Sequence, residues 1–179
     1  LVEQLLALAL ADEADTGVRN EPVALDELVR ETVLRYLPRA DAAGVDLGVQ
    51  GLEQPVQVIG NVALIEGLLG NLLDNALRHA RPPAGQAGTV TVELVREPAG
   101  VRLSVVDNGP GLDAQERRHL LQRGVRGLHA QRLGEGAGLG LAIVGKFAEV
   151  MGATFALDDA PGGRGLRASV LLRAAAPGA

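Results

Sequence analysis

The run GEGAGLGLAIV, Gly134–Val144, governs the reading of this chain, because four glycines at alternate positions lead straight into an apolar helix start. Glycine lets the backbone approach an anion where a Cβ would collide. The first turn of the helix adds unpaired N–H groups and the positive end of its dipole. Such a segment makes a close-fitting phosphate cradle, although a glycine-rich turn can also be a plain loop. Two commoner phosphate motifs fail on the residues. A GxGxxG fingerprint needs glycine where Leu139 or Leu141 stands, and the polar run HAQRLGEG precedes it instead of a strand. A GxxxxGK pattern can be drawn through Gly140, Gly145 and Lys146, but Phe147 then lacks the hydroxyl that would meet magnesium.

Working outward, Gly138 to about Met151 is expected as a helix, followed by a strand at Ala153 to Leu157, a turn at Pro161 to Gly165 and a last strand from Leu166 to Leu172. Upstream, Asp113 opens a short helix to about Leu121, and the Gly- and Arg-rich run Gln122 to Gly136 reads as a mobile lid. Thr89 to Arg96 and Val101 to Val106 alternate apolar and polar residues about a turn at Pro98 to Gly100, the pattern of a hairpin with one buried face. The segment ARPPAGQAG is a loop. Before it come a helix from about Asn61, which can cap it, to His79, and strand-like pieces at Val45 to Val49 and Val56 to Ile59.

Leu25, Leu28, Val29, Val33, Tyr36 and Leu37 fall at helical spacing toward about Ala43, with Asp26 and Glu27 in the first turn and Pro38 expected to kink or end the helix early. The whole predicts an α+β two-layer sandwich: a mixed, mostly antiparallel sheet with helices on one face. Leu1 to Asp15 carries a broad apolar stripe and needs a partner helix. The expected division is 1–16 as a helix end, 17–24 as linker and first strand, 25–173 as the main domain and 174–179 as a tail.

The bulk properties exclude several classes. The 179 residues are 47% hydrophobic, enough for a core built from Leu, Val, Ile and Ala, while aromatics are only 2%. Base stacking on aromatic platforms is thereby ruled out as a binding mode, and a net charge of −5 lacks the footprint of a nucleic-acid binder. No nucleic acid is expected as a partner. A nucleotide carried with a divalent cation suits an acidic chain better. The absence of cysteine excludes a disulfide framework and thiolate metal sites. No apolar run reaches the ~18 residues that span a bilayer. The chain starts mid-helix without a methionine, so an excised, soluble fragment is expected.

Two further motifs join the cradle. In NLLDNALRHA, residues 71–80, Asn71, Asn75, Arg78 and His79 share one helical stripe, while Leu72, Leu73, Ala76 and Leu77 can pack inward. Two asparagines inside a helix, beside an arginine and a histidine, suit carboxamide oxygens on a hard cation and basic groups on phosphate; a solvated face is the alternative. In VVDNGPGL, residues 105–112, Asp107 ends an apolar strand ahead of a Gly-Pro-Gly turn. A carboxylate there can accept the exocyclic amino hydrogen of adenine while Gly109 and Gly111 let the base approach the backbone, although Asp-Asn-Gly is also an ordinary turn.

Taken together, these motifs resemble the ATP-binding catalytic domain of sensor histidine kinases, in the superfamily shared with type II topoisomerase and mismatch-repair ATPases, whose architecture is the Bergerat-type fold. NLLDNALRHA is similar to its N box, DNGPGL and GEGAGLGLAIV to its two glycine boxes, and LLQRGVRG, residues 120–127, to its F box. The resemblance implies ATP and Mg²⁺ as cofactors, with Asn75 as metal ligand and Asn71 arranging metal, waters and phosphates. It also implies phosphate contacts from Arg78 and His79, adenine recognition by Asp107, and a base pocket shaped by Gly109 and Gly111. Gly136, Gly138 and Gly140 with the N–H groups of Leu139 and Leu141 would hold the phosphates, and Arg126 and Arg123 would stabilise γ-phosphoryl charge, a solvated lid being their alternative.

Departures are Leu121 and Gly124 where F-box phenylalanines are usual, and Leu166 in place of a threonine. His79, His119 and His129 lack the context of a phosphoacceptor, so autophosphorylation of this fragment alone is not expected. The resemblance implies a phosphoacceptor-histidine domain and a response regulator as partners, a homodimer in the full-length protein, a cytoplasmic location for this fragment and a bacterial inner-membrane parent. An ATP-hydrolysing clamp would need a glutamate base where Asn71 stands. A module that binds nucleotide without transfer is the third reading.

Overall fold

The computed structural model describes residues 19–81, 86–125 and 138–175. Seven strands, β1 Glu21–Ala24, β2 Val45–Gln50, β3 Gln57–Gly60, β4 Gly88–Glu97, β5 Gly100–Asp107, β6 Thr154–Asp159 and β7 Leu166–Ala174, form one sheet. Its order is β1-β3-β7-β5-β4-β2, with β6 also paired to β7. Only β2 and β4 run parallel among the described pairs. Four helices, α1 Leu25–Ala43, α2 Val62–His79, α3 Ala114–Val125 and α4 Gly138–Val150, complete the described structure. This is the expected α+β arrangement.

Alternation along the strands sets the two faces. Val90, Val92, Leu103, Val105, Val170 and Leu172 point toward the helices and are buried. Leu68, Leu69, Leu72 and Leu73 of α2, with Ile143, Val144 and Phe147 of α4, close the core over them. The opposite face is polar, with Arg167 paired to Glu93 at 2.9 Å and Arg102 to Glu97.

Local signals place the helix starts. Asn61 caps α2 by accepting the Leu64 N–H at 3.1 Å. At α3, Asp113 Oδ1 accepts the N–H groups of Gln115 and Glu116 at 2.7 and 2.8 Å, while Glu116 Oε2 accepts the Asp113 N–H at 2.8 Å, a reciprocal capping box. Asp113→Ala is expected to cost about 1 kcal/mol and to speed amide exchange in the first turn of α3, measured by hydrogen exchange.

Two expectations need correction. Pro38 does not end α1, which continues to Ala43. The carbonyl that loses its helical donor belongs to Leu34, and both residues are solvent-exposed, where water can stand in for the missing N–H. Gln122–Val125, read as the start of a lid, lies in α3. The first-turn carboxylate Asp26 also does more than complement a dipole: it is buried and accepts the Val56 N–H at 2.9 Å, tying α1 to the lead-in of β3.

Candidate functional site

The stripe of α2 opposite its buried leucines carries Asn71, Asn75, Arg78 and His79 at the surface, Arg78 being exposed and the others half-buried. Asn71 is oriented by its own helix. Its Nδ2 donates to the Gly67 carbonyl at 2.7 Å, which leaves Oδ1 facing the first turn of α4, where a Cβ on Gly140 would stand 3.4 Å from it. Gly138, Leu139, Gly140 and Leu141 form the first described turn of α4, and the Leu141 side chain is buried.

At the other end of the stripe, the C-terminus of α2 meets the turn after β5. A Cβ on Gly109 would overlap the His79 carbonyl oxygen and stand 2.9 Å from Asp107 Oδ1, so only glycine fits between them. Asp107 is 5% exposed, and its Oδ1 accepts the N–H of Gly109 at 2.8 Å and of Leu166 at 3.4 Å. Its other oxygen takes no hydrogen bond from the described residues. Burial pushes the carboxyl pKa up, opposed by the two N–H groups and by nearby His79.

Several members of this ring carry no catalytic signature in sequence. Asn108 clamps the turn to β4: its Oδ1 accepts the Thr89 N–H at 2.8 Å and its Nδ2 donates to the Ala87 carbonyl at 2.9 Å. Gly165, at φ +98°, sits so close to the Asp107 carbonyl that a side chain would overlap it, and its own carbonyl lies 2.9 Å from where a Cβ on Gly111 would stand. The structure therefore brings Asn71 and Gly140 together at one end of the stripe, and His79, Asp107 and Gly109 at the other, with Gly111 against Gly165. Asn75 lies one turn beyond Asn71 on the same helix. Arg123 lies in α3, while Arg126 and Gly136 are outside the described residues.

The arrangement offers an open carboxylate oxygen at one end, carboxamides along the middle and a helix N-terminus at the other. Those groups suit an amino-bearing base, a hard cation and an anion in that order. Among the described residues no cluster of His, Asp or Glu could hold a metal ion alone, so a cation here would need amide and ligand oxygens.

The model of the family described as histidine kinase-, DNA gyrase B- and HSP90-like ATPases matches residues 60–176, from the end of β3 through β7. The chain belongs to that ATPase family. Within it, the chain is an ATP-binding domain of the sensor histidine kinase type. It is 34% identical over 165 residues to the signal transduction histidine-protein kinase/phosphatase MprB of Mycolicibacterium paratuberculosis, covering 92% of this chain and 30% of that one. The sensor protein kinase PmrB of Pseudomonas aeruginosa is 35% identical over 179 residues, covering 100% of this chain and 36% of its own. The solved structure of full-length ShkA in complex with AMPPNP superposes with a TM-score of 0.78 at 25% identity, covering 99% of this chain and 36% of that one. The chain thus spans about a third of the length of these curated relatives. No helix among the described residues is long and apolar enough to cross a membrane.

Proposed function

We propose that this ATPase-family domain binds MgATP and delivers the γ-phosphoryl group to a histidine on a separate phosphoacceptor domain, for relay to a response regulator. The observation that carries the nucleotide assignment is Asp107, whose Oδ1 is held by two backbone N–H groups while Oδ2 takes none from the described residues. That oxygen is the acceptor for the adenine amino group, with Gly109 and Gly111 flanking the base. His79 and Arg78 lie along the route to the phosphates, which the first turn of α4 receives through the N–H groups of Gly138, Leu139, Gly140 and Leu141. Gly136 completes the cradle, and Arg126 and Arg123 supply charge to the γ-phosphoryl group.

Asn75 would hold Mg²⁺ through its carboxamide oxygen, with Asn71 Oδ1 arranging its waters and the phosphates. The cation, when bound, neutralises charge on the β- and γ-phosphoryl oxygens. The residues fit that task, since the carboxamide of Asn71 is already turned with its oxygen toward α4.

Transfer is favoured over hydrolysis because the stripe offers no carboxylate where Asn71 stands to act as the general base. Asn71 carries no carboxylate, and the neighbouring carboxylate, Asp74, faces α1, where it contacts Arg39 at 2.8 Å. The remaining work is positioning, which needs no nucleophile from this chain. In this reading residues 25–173 are the catalytic unit, 1–16 the end of a dimerising helix, and the parent protein a homodimer at the bacterial inner membrane.

Mixing this domain with a phosphoacceptor-domain protein and γ-labelled ATP tests the assignment. Label on histidine is expected; free phosphate alone would indicate an ATPase clamp, and no turnover would indicate a binding module. Asn75→Ala is expected to lower labelling about 100-fold or more while thermal unfolding moves little, because it removes a half-exposed ligand and no core contact.

A further inference from the structure

Helix α2 contains two glycines, Gly67 and Gly70, directly before Asn71. Glycine is unfavourable inside a helix, so each position calls for a reason in packing. The chain has only two phenylalanines and one tyrosine, and two of these three rings reach these glycines. Tyr36 of α1 donates its hydroxyl to the Gly70 carbonyl at 3.1 Å. Phe147 of α4, 2% exposed, lies over Gly67, where a Cβ would come within 2.8 Å of its Cε2.

The second contact bears on the site. The carbonyl that accepts the Asn71 carboxamide at 2.7 Å belongs to Gly67, the same residue that seats the ring. One turn later Asn71 Oδ1 faces Gly140, so α2 and α4 run antiparallel and touch at two glycine notches, one of which carries Asn71.

We propose that Phe147 is a positioning residue for Asn71: seated against Gly67, it fixes the spacing of α2 and α4 and so the direction in which Asn71 Oδ1 meets the metal and phosphates. This rests on the MgATP reading above. Phe147 lies in the core and touches no ligand itself, so its effect reaches the site through the spacing of α2 and α4 at Asn71. The adenine contact at Asp107 is independent of it, which separates the metal-dependent part of binding from the rest.

The test is calorimetric titration of AMPPNP with and without Mg²⁺, taking the ratio of the two affinities for the wild-type domain, Phe147→Leu, Gly67→Ala and the double variant. Each single change is expected to lower the ratio about threefold or more, leaving Mg-free affinity within about twofold, and the double variant to recover at least half of the loss because the smaller side chain vacates the space the new Cβ needs. Tyr36→Phe, which loses a hydrogen bond on the other side of α2, is expected to lower the melting temperature without moving the ratio. Phe147→Met is read in the same way if Phe147→Leu does not fold. Singles that lose stability with an unchanged ratio, or a double variant without recovery, would overturn the positioning role and leave the nucleotide reading standing. Wild-type protein that binds no nucleotide would overturn both.

Discussion

Asp107→Asn is expected to reduce affinity for adenine nucleotides about 100-fold, with the melting temperature unchanged or higher. The asparagine Oδ1 can still accept the N–H groups of Gly109 and Leu166 that Asp107 accepts now. Its Nδ2 then stands where the free carboxylate oxygen was and turns a donor toward the adenine amino donor. A charged acceptor is thus exchanged for a mismatched group at the place proposed to read the base.

The stability side follows from the raised pKa of this buried carboxyl. A carboxyl whose pKa is higher in the fold than in the unfolded chain favours folding only where it is protonated. That advantage is lost as the pH rises through the folded pKa, so at neutral pH the ionised side chain weighs against the fold and its neutral analogue does not. By the same sign, wild-type nucleotide affinity should fall with acidification earlier than for an ordinary carboxylate, and the Asn variant should lack that dependence. Calorimetry across pH, alongside thermal unfolding, checks both halves. Full affinity in the variant would remove Asp107 from the base site.

Gly165→Ala is expected to cost about 2–4 kcal/mol and to lower the melting temperature by roughly 5–15 °C, with nucleotide binding lost in parallel. Two effects act at once. The residue sits at φ +98°, a conformation that side chains disfavour, and its Cβ would overlap the Asp107 carbonyl while approaching within 3.0 Å of Asn108 Cα. Relief requires the β6–β7 turn to move away from β5, which also withdraws the Leu166 N–H from the Asp107 carboxylate. Gly163 supplies the control, since it has φ +77° and nothing within 4 Å of a Cβ. Gly163→Ala should show the conformational penalty alone, about 1 kcal/mol, and keep nucleotide affinity. Equal behaviour of the two variants in thermal unfolding and calorimetry would mean that the contact with Asp107 is unimportant.

Much of this architecture was legible in the chain because it depends on neighbours. Leu64, Leu68, Leu69, Leu72 and Leu73 of α2 recur at helical spacing and are buried, and β4 alternates buried and half-buried positions over most of its length. Asn61 caps the helix it precedes. Pro38 does not end α1 because the rule that a proline breaks a helix assumes the orphaned carbonyl has no other partner, and Leu34, whose carbonyl loses its donor, is solvent-exposed. In the candidate site, Asn71, Gly109 and Asp107 announced themselves through composition and spacing. Asn108, Gly165, Gly67 and Phe147 did not, since each matters through a contact with a distant segment.

From its residues and their local spacing, the chain determined its helices and strands, the apolar face of each, and an inventory of amides, one strand-end carboxylate and alternating glycines. These follow from periods of two and 3.6 residues, which operate over a few neighbours. Tertiary structure alone decided which of those groups meet. The pairing of Val106 with Arg167 sets the register that brings Asp107 opposite Leu166, 59 residues away, and the packing of α4 on α2 brings Gly140 to the Oδ1 that Asn71 already presents. Register and helix spacing are properties of the packed core as a whole, and no short stretch of sequence carries them.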